Sequence, residues 1–320
     1  MAPVTALLWT AAGVAFLLLA AYFAVCALLV IKFLHRQPDD SEAFLNKLEN
    51  QGNGKHADII RRERKWYPAQ PKEDVYIESF DGLRLHGCLV KQENPRGTIL
   101  LAHGFHGSGF VDFSCALRPY YELGFNLLVI DQRGHLQSEG KYLTMGVRER
   151  RDVRAWAIWL LEQFGEQHRV VLDGISMGGA TVLMAAGLDL PRNVVGIIAD
   201  CPFTSPRDIF VSVMTTSIKL PTWLLWGANI CCRIMAGFSI DEVSTVDTLR
   251  DNKLPLLLIH GEADDFVPCR MTHESAAAAA NCEKTLVLVE GAGHGLSFLV
   301  DRDKVYAALV EFLDKVCPKR

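Results

Sequence analysis

The first stretch of the chain is almost entirely hydrophobic and carries no charged residue from Val4 to Ile31. These 28 residues exceed the about 20 that a helix needs to cross the hydrocarbon core of a membrane. They also lack the polar face of a helix in a soluble domain. A cleaved signal peptide is disfavoured because no basic residue precedes the run and the run is too long. A lipoprotein signal at Cys26 is disfavoured because Val25 stands where a small residue is expected. We therefore predict that residues 1–36 form an uncleaved transmembrane anchor.

Basic residues follow this apolar run and none precedes it. Lys32, His35 and Arg36 come directly after the predicted span. By the positive-inside rule, this asymmetry places the rest of the chain on the cytoplasmic side. Residues 37–74 are predicted to be a juxtamembrane connector. Its basic cluster either contacts anionic lipid headgroups or forms a solvated helix face, and the pattern leaves both open. The cluster consists of Arg61, Arg62, Arg64 and Lys65.

From residue 75 onward, strands and helices alternate. Segments on both sides of Asp81-Gly82 predict a β-hairpin from Val75 to Val90. Six short apolar runs follow, and such runs are typical of strands buried on both faces of a parallel sheet. They are Thr98–Ala102, Asn126–Ile130, Arg169–Leu172, Val194–Ala199, Leu254–Ile259 and Thr285–Val289. The helical stretches between them are Phe113–Leu123, Gly146–Phe164, Gly178–Gly187, Arg270–Asn281 and Asp303–Val316. This alternation predicts one α/β domain over residues 75–320, with a mostly parallel, doubly wound sheet.

One connection within this domain is too long for a simple loop. Residues 202–253 have no strand character, and a structureless loop of this length is unusual in a compact domain. We predict a helical lid inserted between two strands. Its apolar side chains Trp223, Trp226 and Phe238 are expected to bind an apolar part of the substrate. The alternative is that they only pack the lid onto the sheet.

Composition narrows the class of partner. The formal net charge is −4 and the calculated pI is about 6.2, which argues against nucleic acid as a partner. The nine cysteines are scattered and odd in number, and no pair has the spacing of a metal site. Reduced, buried thiols suit a reducing compartment. Neither a metal nor an organic cofactor is expected.

The predicted strand Arg169–Leu172 runs into Gly174-Ile175-Ser176-Met177-Gly178, and a helical pattern follows. This is the G-x-S-x-G motif in the strand-turn-helix context that it requires. Gly174 and Gly178 allow the close backbone approach of the turn. The helix that begins behind Ser176 favours negative charge developing at that point. Ser176 is therefore the candidate nucleophile.

A serine hydroxyl needs a base, and the base needs a carboxylate to orient it. His294 follows the last predicted strand, at the sheet edge where open α/β sheets place their sites. We predict His294 as the base and Asp264 as the acid, in the order Ser, Asp, His. Asp265, Glu262 and, more distantly, Asp200 are the alternative acids.

The same chemistry needs donors for an oxyanion. The loop that begins with His103-Gly104-Phe105 follows the first buried parallel strand directly. The backbone N–H groups of Phe105 and Met177 are the predicted pair of donors. His103 is assigned a structural hydrogen-bonding role.

Taken together, these motifs resemble the α/β-hydrolase superfamily. The chain is most similar to its membrane-anchored single-domain serine hydrolases, the Bem46-like branch and bacterial relatives, over about residues 72–316. The family often has Gly after the His of its Arg-Gly-His motif, whereas here Leu136 follows Arg133-Gly134-His135. This departure concerns the geometry of that loop and not the triad.

These features predict hydrolysis of acyl esters through an acyl-enzyme intermediate, with a small-molecule or lipid-like substrate. A peptidase or amidase using the same triad is the first alternative. A catalytically inactive, membrane-tethered binding protein is the second. The sequence leaves the oligomeric state open.

Overall fold

The computed structural model describes residues 2–38, 41–50 and 54–319. Its described part contains an eight-stranded sheet with the order β1-β2-β4-β3-β5-β6-β7-β8. The strands are β1 (Glu73–Glu78), β2 (Arg84–Val90), β3 (Thr98–Ala102), β4 (Asn126–Ile130), β5 (Val170–Ile175), β6 (Val194–Asp200), β7 (Leu256–Gly261) and β8 (Lys284–Val289). The antiparallel pairs are β1 with β2 and β2 with β4, and the remaining pairs are parallel. This topology confirms the predicted fold class.

Helices cover both faces of the sheet, which explains why its central strands are continuous apolar runs. The helices of the α/β domain are α4 (Gly109–Asp112), α5 (Ser114–Glu122), α6 (Glu149–Phe164), α7 (Met177–Ala185), α11 (Arg270–Ala278), α12 (Ser297–Val300) and α13 (Arg302–Val316). Side chains of α5 and α13 pack on one face, and those of α6, α7 and α11 pack on the other. β3 and β4 are buried at every position.

Most predicted elements differ from the observed ones by one to three residues at an end, and two of these differences lie close to Ser176 or to the loop after β3. The predicted helix Phe113–Leu123 corresponds to α5, and the short helix α4 precedes it because Phe113 leaves the helical conformation between the two. The strand predicted to end at Leu172 continues through Gly174 to Ile175, pairing with β6 up to Asp200. β5 therefore ends directly before Ser176, where the tight turn begins.

The segment 202–253 is helical, as expected for a lid. It contains α8 (Pro206–Thr216), α9 (Leu224–Met235) and α10 (Thr245–Leu249). The side chain of Ser205 caps α8 by accepting from the Asp208 N–H, and Ser244 caps α10 in the same way. α9 packs against the N-terminal helix, and α10 packs against α7 and α11.

The N-terminal helix α1 spans Ala2–Leu34. Its segment Val4–Leu34 has a mean hydropathy of 2.9 and is long and apolar enough to be a candidate membrane span. The connector forms α2 (Ser41–Leu48), α3 (Gly54–Glu63) and a 3-10 turn at Tyr67–Ala69. In its basic cluster, Arg61 pairs with Glu49 and Arg64 pairs with Glu42.

A buried arginine ties the β1-β2 hairpin to α6. Arg133 donates to both carboxylate oxygens of Asp152 at 2.6 and 2.7 Å, and to Asp81 in the hairpin turn at 2.9 and 3.1 Å. Burial raises the pKa of Asp152 to about 6, although Arg133 opposes that shift.

The loop that contains Arg133 also has an unusual backbone conformation. Leu136, three residues after Arg133, has φ +43°, a conformation that favours glycine. The loop therefore keeps the backbone shape expected where the family often has Gly.

Replacing Arg133 with Met should destabilise the fold by about 3–5 kcal/mol, because Asp152 would remain buried without its counter-ion. The matched control is Arg207→Met, which removes a half-exposed pair with Asp241 and should cost about 1 kcal/mol or less. Unfolding in detergent, followed by circular dichroism, measures both. Equal effects of the two substitutions would contradict the prediction.

Candidate active site

Four loops meet at the carboxyl edge of the parallel strands. They follow β3, β5, β7 and β8, and they carry Phe105, Ser176, Asp264 and His294 respectively. Parallel strands present these ends at one edge, which is where open α/β sheets place their sites. The topology thus brings together residues that lie up to 189 positions apart in the chain.

Ser176 occupies a strained turn between β5 and α7. Its φ of +56° and ψ of −115° are unusual for a residue with a side chain. Its N–H donates to the Asp200 carbonyl at 2.8 Å, which fixes the turn to β6. A Cβ on Gly178 would lie 1.8 Å from the Ala102 carbonyl oxygen, and one on Gly174 would lie 2.2 Å from the Gly178 carbonyl oxygen. Both positions therefore require glycine.

His294 connects the serine to a carboxylate. Its Nε2 lies 2.8 Å from Ser176 Oγ, and its Nδ1 lies 2.7 Å from Asp264 Oδ2. With the proton on Nδ1 donated to Asp264, Nε2 is free to accept the proton of the serine hydroxyl. This is the arrangement of nucleophile, base and orienting acid required for acyl transfer.

Asp264 is buried and held as a carboxylate. Its Oδ1 accepts from the N–H groups of Val267 at 2.8 Å and Phe266 at 3.0 Å. Burial would raise the pKa of Asp264, but interactions with His260 and His294 outweigh it and hold the pKa well below its usual range. An ionised carboxylate in this position is able to stabilise a positive charge on the His294 ring.

The three alternative acids are placed differently. Asp265 and Glu262 are exposed. The backbone of Asp200 accepts from Ser176, and its Oδ1 accepts from the Ser297 hydroxyl at 3.3 Å. Asp200 therefore supports the turn that carries the serine.

The predicted oxyanion donors have free N–H groups. In the described part of the chain, neither the Phe105 nor the Met177 N–H donates to another protein group. The adjacent Gly104 N–H donates to Asp112 Oδ2 at 2.7 Å, which positions the loop. His103 Nε2 accepts from the Gln132 N–H at 3.1 Å.

An apolar cavity of about 180 Å³ opens onto Ser176. It is walled by the last turns of α1, by α8 and by α9. Phe105 and Phe266, from the loops after β3 and β7, also line it. The contribution of α1 consists of Leu29, Val30, Phe33 and Leu34. Sequence reasoning missed these four residues, because a uniformly apolar helix gives no sign of which side contacts protein.

The three lid residues expected to bind substrate lie outside this cavity. Trp223 and Trp226 are exposed on the outer side of α9 and stack on Tyr22 of α1. Phe238 is buried in the packing between lid and domain. The inward positions of α9 are instead Leu224, Leu225, Ala228 and Cys232. The expectation for the two tryptophans is corrected because both project from the opposite helix face.

A larger and more polar cavity, of about 840 Å³, is lined by both Ser176 and His294. Buried acids line it. Burial raises the pKa of Asp173 to about 7 and that of Asp200 to about 6. The Tyr120 hydroxyl donates to Asp173 at 2.8 Å. Burial also raises the pKa of Asp112.

Two groups of potential metal ligands occur among the described residues. One consists of Cys201, Asp264 and His294, but burial keeps the pKa of Cys201 well above its usual value, so the thiol stays protonated. The other is Asp74, His86 and Cys88 on the β1-β2 hairpin. Burial would lower the pKa of His86, but hydrogen bonds with Asp131, Cys88 and Asp74 raise it to about 11. This favours an imidazolium ion pair over a metal ligand.

Comparisons with known proteins place this geometry in context. A sequence model of the prolyl oligopeptidase family matches residues 111–320. The YqkD protein of Bacillus subtilis is 27% identical over 267 residues, covering 81% of this chain and 87% of that protein. The bem46 protein of Schizosaccharomyces pombe is 27% identical over 201 residues, covering 61% and 62%. The Pyrococcus furiosus esterase Pf2001 superposes with a TM-score of 0.62 and 24% identity, covering 78% of this chain and 92% of that structure.

The buried acids predict a pH-dependent stability. Asp173 has a folded pKa of about 7, above its unfolded value, so its stabilising contribution is present below the unfolded pKa and is lost as the pH rises through 7. The melting temperature should therefore fall between pH 5.5 and pH 8.5, and Asp173→Asn should reduce that fall by about 4 °C or more. Scanning fluorimetry in detergent measures both proteins. Asp251→Asn, at an exposed position, is the control and should leave the profile unchanged. If the melting temperature fell equally with pH in wild type and in Asp173→Asn, the raised pKa of Asp173 would be refuted as the cause.

Proposed function

Because the chain belongs to the prolyl oligopeptidase family of α/β-hydrolases, we propose that it is a membrane-anchored serine hydrolase that cleaves acyl esters. Ser176 is the nucleophile, His294 the general base and acid, and Asp264 the orienting carboxylate. One observation carries this proposal. The Ser176 hydroxyl is hydrogen-bonded to His294 and also faces an apolar cavity of about 180 Å³.

In the proposed reaction, Ser176 Oγ attacks the carbonyl carbon of the ester while His294 Nε2 takes the hydroxyl proton. The intermediate then collapses, the bond from carbon to the alcohol oxygen breaks, and His294 returns the proton to that oxygen. The alcohol leaves and an acyl-enzyme remains. Water next gives its proton to His294 and attacks the acyl carbon. The carboxylic acid leaves, and Ser176 recovers its proton.

The negative charge of each intermediate is assigned to the N–H groups of Phe105 and Met177. Met177 is the first residue of α7, so its N–H is one of those without a partner inside the helix. The positive end of the same helix adds to the stabilisation. Because the turn is fixed by its glycines, these donors need no rearrangement during the reaction.

The two cavities suggest how the substrate is oriented. The apolar cavity suits the acyl chain, since its lining is apolar apart from Ser176 and the Cys232 thiol. The polar cavity on the His294 side suits the alcohol and the hydrolytic water. An apolar cavity next to a polar one supports a substrate with an apolar acyl chain, which is a lipid-like or acylated compound. No cofactor enters the proposed reaction.

The proposed domain organisation is an anchor over residues 1–36, a connector over 37–74 and a hydrolase domain over 75–320 with a lid at 202–253. Lys32 and Arg36 after the span support a hydrolase domain on the cytoplasmic side.

Peptide or amide cleavage is the second candidate, favoured by the description of the matched family. The same triad serves both reactions. Faster hydrolysis of aminoacyl arylamides than of esters with the same acyl group would favour it. The third hypothesis, an inactive membrane-tethered binding protein, is opposed by the hydrogen-bonded triad.

Replacing Ser176 with Ala should abolish labelling by a fluorophosphonate probe and lower p-nitrophenyl butyrate hydrolysis by about 10⁶-fold, to background. The control is Ser212→Ala on α8, a buried serine that lines neither cavity and should label like wild type. Residual labelling of the Ser176 variant would reject Ser176 as the nucleophile. Absence of labelling in wild type would favour the inactive binding protein.

Replacing Asp264 with Asn should lower kcat for the same ester by about 10³–10⁴-fold, because the amide no longer fixes the tautomer of His294. Asp265→Asn changes the exposed neighbour and should retain activity within about twofold. Rates are measured in detergent on folded protein. A large loss from Asp265→Asn with a small loss from Asp264→Asn would exchange the two assignments.

A further inference from the structure

The helix α1 has two parts with different surroundings. Every side chain from Val4 to Ala21 is exposed. From Tyr22 onward one face is buried or half-buried, including Cys26 and Val30. At about 1.5 Å per residue, the exposed part is roughly 27 Å long, close to the ~30 Å thickness of a hydrocarbon core. Tyr22 therefore marks the level at which the helix would leave the bilayer.

The lid helix α9 crosses α1 at this level. The Tyr22 hydroxyl lies 3.3 Å from the Trp223 carbonyl and accepts from the Gly227 N–H at 2.9 Å. The Phe23 carbonyl lies 3.9 Å from Cys231 Sγ. One turn of α1 thus contacts two turns of α9, which is the contact pattern of crossing helices. With α1 across the bilayer, these contacts place α9 at the level where α1 leaves it.

The outward face of α9 is apolar. Trp223, Trp226 and Ile234 are 62%, 63% and 79% exposed, and they lie at helical spacing on one face. Tyr22 stacks on both tryptophans. Trp and Tyr are the residues enriched at the membrane-water interface. The only charged residues from position 219 to 235 are Lys219 and Arg233, which suits contact with phosphate headgroups.

The same two helices enclose the apolar cavity. Leu29, Val30 and Phe33 of α1 line it from one side, and the inward face of α9 lines it from another. Ile218, in the loop between α8 and α9, lines the cavity and is also 37% exposed. The cavity lining therefore reaches the surface in the α8–α9 loop, five residues before Trp223.

We propose that α9 rests in the bilayer interface through Trp223, Trp226 and Ile234, and that a lipid acyl chain enters the cavity directly from the bilayer, between α1 and the α8–α9 loop. The anchor helix is thereby a wall of the acyl site. The substrate class is an acyl ester dissolved in the membrane. The route of entry rests on the proposed function, but the contact with lipid does not.

The contact with lipid is tested by tryptophan fluorescence in the full-length protein, reconstituted into vesicles of phosphatidylcholine brominated on the upper acyl chain. A Trp9→Phe background removes the tryptophan within the exposed part of α1. Bromine should quench this protein, and adding Trp223→Phe and Trp226→Phe should remove most of the quenching. Adding Trp159→Phe instead is the control and should leave quenching in place. Equal quenching with and without the two lid tryptophans would overturn the interfacial placement, as would a stable dimer that buries them.

The cavity wall is tested by the dependence of hydrolysis on chain length in the same vesicles. Leu29→Trp should lower the ratio of kcat/KM for p-nitrophenyl decanoate over butyrate by about tenfold, because the indole fills the acyl cavity. Val30→Ala enlarges the cavity and should raise the ratio. The control is Leu18→Trp, an equal substitution on the exposed part of α1, which should leave the ratio unchanged.

These experiments test the contact of α9 with lipid separately from the entry of the substrate into the cavity. An unchanged ratio in both Leu29→Trp and Val30→Ala would overturn the shared wall. A wild-type protein that hydrolyses no ester would overturn the proposed function, whereas the quenching result would still decide whether α9 contacts lipid.

Discussion

Three backbone segments approach so closely at Ser176 that a single methyl group on Gly178 would lie 1.8 Å from the Ala102 carbonyl oxygen. This close approach of β3, β5 and α7 lifts the serine into a positive-φ conformation above the sheet edge. It also makes Met177, the residue directly after Ser176, the first residue of α7. The loops that supply His294 and Asp264 can meet the serine only because the register of the parallel strands brings their ends to the same edge.

Much of this could be predicted from sequence, because the signals are local or follow from strand order. The pentapeptide around Ser176 lies between a strand pattern and a helix pattern, and His294 follows the last strand. The sequence already favoured Asp264 as the acid but left Asp265 as an alternative. What distinguishes the two carboxylates is the burial of Asp264 and its hydrogen bonds from the N–H groups of Val267 and Phe266, which sequence spacing does not reveal.

What sequence missed has one physical origin. Where a segment is apolar on all sides, periodicity cannot distinguish the face that contacts protein from the face that contacts lipid. The segment from Val4 to Ile31 is apolar throughout, so nothing in its sequence pattern indicates that Leu29 and Val30 line the cavity. α9 is apolar on two faces, so its pattern did not reveal that Trp223 and Trp226 lie on the face away from the cavity.

The position of α9 beside α1 explains why α9 is apolar on both its outward and its inward face. An outward row of exposed tryptophans is unfavourable for a domain surrounded by water, because large exposed apolar patches promote association. Next to α1, which has about 27 Å of exposed apolar length, the exposed row of α9 and the exposed part of α1 form one apolar surface. The inward row of α9 then faces the acyl cavity. In the proposed placement, α9 lies between a bilayer and a binding site and needs both faces apolar, which accounts for its composition.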